Sequence, residues 1–160
     1  MIYEKILKKC IKDNKIDEVC TFIRSLEDKD SAIDWLINYM KKTKSTKRRN
    51  TIAIVLSELH CKKAISTLLE LIEKYAYPNN YATLIYALSN FNHSDYLNRV
   101  FRLIYLGNFE AREFVFEIFK NSYLNISELD KSRFKDELKE YIEDCKDRLD
   151  ILMTAQSLIE

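Results

Sequence analysis

Residues 52–72 read IAIVLSELHCKKAISTLLELI, and residues 84–104 read LIYALSNFNHSDYLNRVFRLI. Set one over the other, they align without a gap at an offset of 32. Leu56/Leu88, Ser57/Ser89, Leu71/Leu103 and Ile72/Ile104 are identical, and Ile52/Leu84, Leu59/Phe91, Ile65/Leu97 and Leu68/Val100 match as apolar pairs. Within each copy the apolar residues recur three and four positions apart, the period of a helix with one apolar face. A polar break, HCKK or NHSD, divides each copy in two. The unit is therefore a helix hairpin.

The pattern extends both ways. Ala32, Ile33, Leu36 and Ile37 stand 32 residues before Ala64, Ile65, Leu68 and Leu69. Val19, Cys20, Ile23 and Leu26 fit the preceding helix with one extra residue, and Phe114, Val115, Ile118 and Phe119 mark a weaker fourth copy. One amphipathic hairpin cannot bury its own apolar face, so such units stack side by side into a continuous core. The spacing predicts nine helices, at about 2–12, 16–27, 31–42, 48–60, 62–75, 80–91, 94–106 and 109–122, with a long one from about 128. Ser31 with Asp34 and Ser127 with Asp130 have capping-box spacing. Pro78 is expected to stop a helix, and Gly107 to form a left-handed C-terminal cap. No linker rich in Gly, Pro or Ser interrupts the chain, so residues 1–160 read as one domain.

Composition agrees with an all-α fold. The chain has 160 residues with one glycine and one proline, too few for a phosphate loop, a dinucleotide fingerprint or a set of tight β-turns. The amino terminus, MIYEKILKKCIKD, lacks the apolar core of a secretory signal, and no apolar run is long enough to span a membrane. Cys10, Cys20, Cys61 and Cys145 match no zinc or redox spacing. They read as buried reduced thiols, which implies a cytoplasmic protein.

The hairpins resemble HEAT-like repeats, through blocks such as TIAIVLSELHCKKAISTLLELIEKY and NYATLIYALSNFNHSDYLNRVFRLIYLG. The resemblance covers residues 16–122. Glu58-Leu59-His60 and Asn90-Phe91-Asn92 stand where many such units carry a leucine-glycine pair, so armadillo-like or other helix-hairpin repeats stay open. The resemblance implies a right-handed α-solenoid of about four hairpins, with a leading and a long final helix. It also implies an interaction scaffold whose second helices line a concave face. Some HEAT-like proteins are DNA glycosylases that grip DNA with basic concave helices. Arg99, Arg102, Trp35 and Tyr39 are the residues placed for that here.

Catalytic signatures are missing. No HExxH, GxSxG or paired CxxC occurs, and His60 and His93 are the only histidines. Stacked repeats would bring Cys61 and His93 close, yet a third metal ligand is lacking. The sequence therefore predicts no catalytic residue, no metal site and no cofactor.

Charge is more informative. The net +1 divides into 15 basic and 9 acidic residues over 1–63 and 11 and 16 over 64–160. The basic part peaks in KKTKSTKRR, with Lys41, Lys42, Lys44, Lys47, Arg48 and Arg49 free of any acid. The acidic part peaks on the last helix, where Asp136, Glu140, Glu143, Asp147 and Asp150 repeat at spacings of four and three, flanked by Glu137 and Asp144. Phe134, Leu138, Tyr141, Cys145, Leu149 and Leu152 form the opposite stripe, expected to be buried. Tyr75, Tyr77 and Tyr81 cluster around Pro78 as candidate interface anchors or local packing.

Two readings of function follow. In the first, the chain is a non-catalytic protein binder whose acidic stripe and concave helices cover a basic partner. Some bacterial contact-dependent growth inhibition immunity proteins resemble it in size and in being compact helical-repeat folds. That resemblance implies a toxin domain as partner, a nuclease by its basic active site. In the second, the 41–49 run with Arg99 and Arg102 binds nucleic acid.

Overall fold

The computed structural model describes residues 2–75, 81–91 and 96–157. Among them every regular element is helical. The order is α1 (Ile2–Lys12), α2 (Ile16–Ser25), α3 (Lys29–Lys42), α4 (Thr46–Glu58), α5 (Ile65–Tyr75), α6 (Ala82–Ser89), α7 (Leu97–Val100), α8 (Leu103–Leu106), α9 (Phe109–Ser122) and α10 (Glu128–Ser157). Short 3-10 turns at Lys62–Ala64 and Tyr123–Asn125 precede α5 and α10. One predicted helix, 94–106, is divided into α7 and α8. No helix of the described residues is long and apolar enough to cross a membrane.

α2 packs against α4, α4 against α6 and α6 against α9. Between them α3 packs on α4, α5 on α6 and α8 on α9. The apolar stripes close into one cluster that runs from Leu7 in α1 to Phe134 in α10, through Ile52, Leu56, Leu84 and Leu88. Polar links keep the units in register. Asn50 Nδ2 donates to Thr83 Oγ1 at 3.1 Å, Asn90 Nδ2 to Ser57 Oγ at 2.7 Å and Lys63 Nζ to Asp30 Oδ1 at 3.0 Å, all spanning 33 positions. That span is one more than the sequence offset, so neighbouring copies meet at near-equivalent positions.

The helix ends depart from expectation at several points. Asp28, not Ser31, caps α3, accepting the Ser31 N–H at 3.0 Å. The Ser31 side chain first, and then its N–H, hold the Asp28 carboxyl below the ordinary carboxylate range. Ser127 caps α10 as its spacing predicts, with Asp130 N–H donating at 3.1 Å. Left-handed backbone falls on Asn14 (φ 60°) and His60 (φ 50°). In each case a bond from the following N–H, Lys15 to Cys10 O or Cys61 to Leu56 O, closes a helix C-terminus. Gly107 instead lies at φ −72°, an extended conformation. Its glycine answers crowding: a Cβ there would stand 2.5 Å from Leu103 O and 3.1 Å from Ala111 Cβ. Pro78 and His93 lie outside the described residues.

α10 is the exception in the packing. Its 30 residues outrun the 14 of α9, the longest helix beside it. At 1.5 Å per residue the two are about 45 and 21 Å long. Phe134 stacks on Phe101 with centroids 3.9 Å apart, and Arg133 Nη2 donates to Asn98 Oδ1 at 2.5 Å. Tyr141 Oη donates to Tyr105 O at 3.0 Å. Past Tyr141 every residue whose side chain is described is exposed, including Ile142, Cys145, Leu149 and Leu152. The stripe expected to be buried is thus covered only over its first half. Cys145 is an exposed thiol and Cys10 a half-buried one, whereas Cys20 and Cys61 are buried.

Candidate functional site

α10 carries three faces, because a 100° step per residue sets residues two apart on different sides, while residues three, four and seven apart share one. Phe134, Leu138 and Tyr141 face the body. Asp136, Glu140, Glu143 and Asp147 point away, all exposed, and make no ion pair among the described residues. Glu137 and Asp144 form the edge between. Arg133 Nε lies 3.7 Å from Glu137, and Arg148 Nη2 pairs with Asp144 at 2.9 Å.

Along that edge α8 completes a recess. Tyr105 and Tyr141 stack with ring centroids 4.6 Å apart, and Tyr105 Oη donates to Glu137 at 3.4 Å. The two rings, with Glu137, Glu140 and Asp144, line an open space of about 350 Å³. Burial, and after it the Glu137 carboxylate, pushes the Tyr105 phenol above its ordinary value, so it stays a neutral donor. Carboxylates beside aromatic faces suit a guanidinium or ammonium group, which gains charge-assisted hydrogen bonds and a cation–π contact. The sequence singled out the carboxylates but missed Tyr105, which is 36 residues from Tyr141. Its place 32 residues before Glu137 was the available signal.

The basic run fares differently. Arg49 is 1% exposed: its guanidinium lies 3.8 Å from the centre of the Tyr75 ring, and Nη2 donates to Thr46 Oγ1 at 3.3 Å. A planar, weakly hydrated guanidinium tolerates this burial where an ammonium would not. Neither Arg49 nor the Tyr75 face it covers is open to a partner. Lys41 pairs with Glu70 at 2.9 Å, and Arg48 Nη1 donates to the Tyr39 hydroxyl at 3.3 Å. Lys42, Lys44 and Lys47 remain exposed and without an ion pair among the described residues. Across α5 and α7, Arg99 Nε and Nη2 both donate to Glu73 Oε1, at 3.0 and 2.7 Å. Its charge is compensated, while Arg102 is exposed. Trp35 and Tyr39 sit with centroids 5.1 Å apart, Lys8 lies 5.6 Å from the Trp35 ring, and Lys42 completes a shallow depression. Tyr77 lies outside the described residues.

No known relative directs a choice among these surfaces. The chain matches no protein-family model, no curated protein and no solved structure. The site must be judged on its chemistry. Among the described residues no group of three His, Cys, Asp or Glu side chains is placed to hold a metal ion. His60 is exposed at the end of α4, where it closes the helix with its backbone. Beside the tyrosine recess, the unpaired carboxylates of Asp136, Glu140, Glu143 and Asp147 bring negative charge, aromatic faces and a concavity together on one described surface.

Proposed function

We propose that the protein is a non-catalytic protein-binding module that covers a basic surface of its partner with α10. In this reading the hairpins form an α-solenoid of HEAT-like units whose role is to hold α10 in place. The observation that carries it is the row of unpaired carboxylates, Asp136, Glu140, Glu143 and Asp147, running beside the Tyr105–Tyr141 recess. A lysine or arginine of the partner enters the recess, and the row meets the charge around it. The partner class we favour is a toxin domain with a basic active site, a nuclease above all, which makes the chain an immunity protein acting by occlusion in the cytoplasm. Charge selects a basic partner; the immunity role rests on the resemblance in size and helical-repeat form.

The test is capture from an extract of the protein's own cells, followed by association kinetics with the captured protein. The triple variant Glu140→Lys, Glu143→Lys, Asp147→Lys should slow association by about 10–1,000-fold at low salt, the range of electrostatic steering. Capture by wild type and variant alike, with equal association rates, would sink this reading.

Nucleic-acid binding is the second reading, supported by the Trp35–Tyr39 pair between Lys8 and Lys42. Bases stack on such rings while lysines follow the phosphates. It requires affinity for single-stranded DNA or RNA that falls steeply with salt. A flat titration eliminates it.

A further inference from the structure

The other flank of α10 opens onto an apolar groove of about 810 Å³ between this helix and the end of α9. Phe119, Tyr123, Phe134, Leu138 and Ile142 form its floor. Lys131, Lys135, Lys139 and Lys146 stand along it at spacings of four, four and seven, a rail on one side of the helix. Lys131 is engaged, pairing with Glu128 at 2.7 Å over the Tyr123 ring. Lys135, Lys139 and Lys146 make no ion pair among the described residues, although Glu143 lies four residues from Lys139. Beyond the groove the apolar stripe continues in Leu149, Leu152 and Met153, 55%, 66% and 59% exposed. From Lys131 to Met153 the surface is about 33 Å long at 1.5 Å per residue.

We infer that this groove and the stripe beyond it take an acidic amphipathic helix of a partner protein. An apolar floor with anchors three and four residues apart is the footprint of a helix laid in a groove. The three unpaired lysines select glutamates or aspartates along one edge of that helix. Two other occupants fit the charges worse. A flat anionic membrane seated on the stripe meets both edges of α10, and Glu137 and Asp144 on the far edge would face its like charge. A partner helix, about 10–12 Å across, meets the lysine edge alone. A second copy of α10 laid antiparallel sets lysine edge against lysine edge. Laid parallel, it sets Tyr141 opposite Lys146 and Arg148 opposite Met153, with no carboxylate across from any lysine. This groove lies on the opposite flank from the Tyr105 recess. Glu143 lines it and is also reversed to test the proposed function, but Lys139, Lys146, Leu149 and Leu152, on which the groove's own test rests, are not, so the two readings fail separately.

The experiment uses the full chain and two fluorescent peptides of about three heptads, both with leucine at the a and d positions. One carries glutamate at e and g, the other lysine. Anisotropy titrations should give saturable binding of the glutamate peptide and about tenfold weaker binding of the lysine peptide, a difference of about 1.4 kcal/mol. The double variant Lys139→Glu, Lys146→Glu should reverse that order. Leu149→Asp with Leu152→Asp should abolish binding of either peptide while the circular dichroism spectrum stays unchanged, since both leucines are exposed. Equal binding of the two peptides, binding of neither, or indifference to the lysine reversals overturns the proposal. So does a dimer in sedimentation that Leu149→Asp dissociates, which assigns the stripe to a second copy. Binding to phosphatidylglycerol vesicles that the lysine reversals abolish assigns it to a membrane and equally overturns the proposal.

Discussion

Leu56 in α4 and Leu149 in α10 sit on apolar stripes of the same spacing, yet Leu56 is 0% and Leu149 55% exposed. α4 lies between α2 and α6, and α3 packs on it as well. Among the described residues nothing covers the distal half of α10. A stripe of helical period records that a face avoids water in some state of the protein. It does not record which neighbour covers the face. Around α4 the neighbours are α2, α3 and α6; at the end of α10 the described residues supply none, which is why we look to a partner there.

The largest test of this contrast is a matched pair of truncations. Leu56→Ala should cost about 2–5 kcal/mol, the transfer term plus the cavity it leaves. Leu149→Ala should stay within about 0.5 kcal/mol, as surface substitutions do. Urea unfolding followed by circular dichroism reads both. Comparable losses would mean that distal α10 is packed in solution, and the contrast would collapse.

A second pair moves the glycine. Gly107→Ala places a Cβ against the backbone oxygen of Leu103, between α8 and α9, and neither flank can yield without shifting a helix. We expect a loss of about 1–3 kcal/mol, the range for overpacking. His60→Gly works in the opposite direction. A non-glycine residue at φ 50° carries strain of about 1–3 kcal/mol, part of which glycine returns and part of which it spends on a more flexible unfolded chain. The net expectation is a gain below about 1 kcal/mol, seen as a small rise in Tm. If His60→Gly destabilises, its imidazole makes a contribution that an exposed side chain at a helix end does not account for.

These positions also mark what the sequence made legible. Leu56/Leu88 and Ser57/Ser89 predicted amphipathic helices at a fixed offset, and the structure packs α4 on α6 with the Ser57 hydroxyl against Asn90, 33 residues on. The helical class and most helix bounds followed from the same periodicity, because burial is what the periodicity encodes. Arg49 was misread because six cations in a row look like surface, whereas its ring partner, Tyr75, is 26 residues away. Gly107 was read as a left-handed helix cap because nothing local announces a close approach between helices. The acidic edge of α10 was legible since its members share one helix. The tyrosine recess was not, because it forms only when α8 and α10 are brought together. The opposed lysine rail is written in the sequence at 131, 135, 139 and 146, but it gains meaning only beside an uncovered floor.

The thiols sharpen the contrast with the smallest effect. Burial pushes the Cys20 and Cys61 thiols above their ordinary values, while Cys145 sits on exposed α10. In the native protein Cys145 should react with a disulfide reagent within the mixing time, with Cys20 and Cys61 reacting only as the chain unfolds. The same burial sets a pH dependence. A thiol whose folded pKa is raised keeps its proton while the unfolded chain gives it up, so the native state binds more protons above about pH 8.5. Its stabilising contribution is whole below that pH and is lost as pH climbs through the folded value. Stability should therefore decline as pH rises past about 8.5, and Cys20→Ala with Cys61→Ala should flatten that decline. Cys145→Ala, a substitution on exposed α10, is the control. A slope that follows Cys145 instead would place the distal half of α10 in the core, where Leu149→Ala would already have put it.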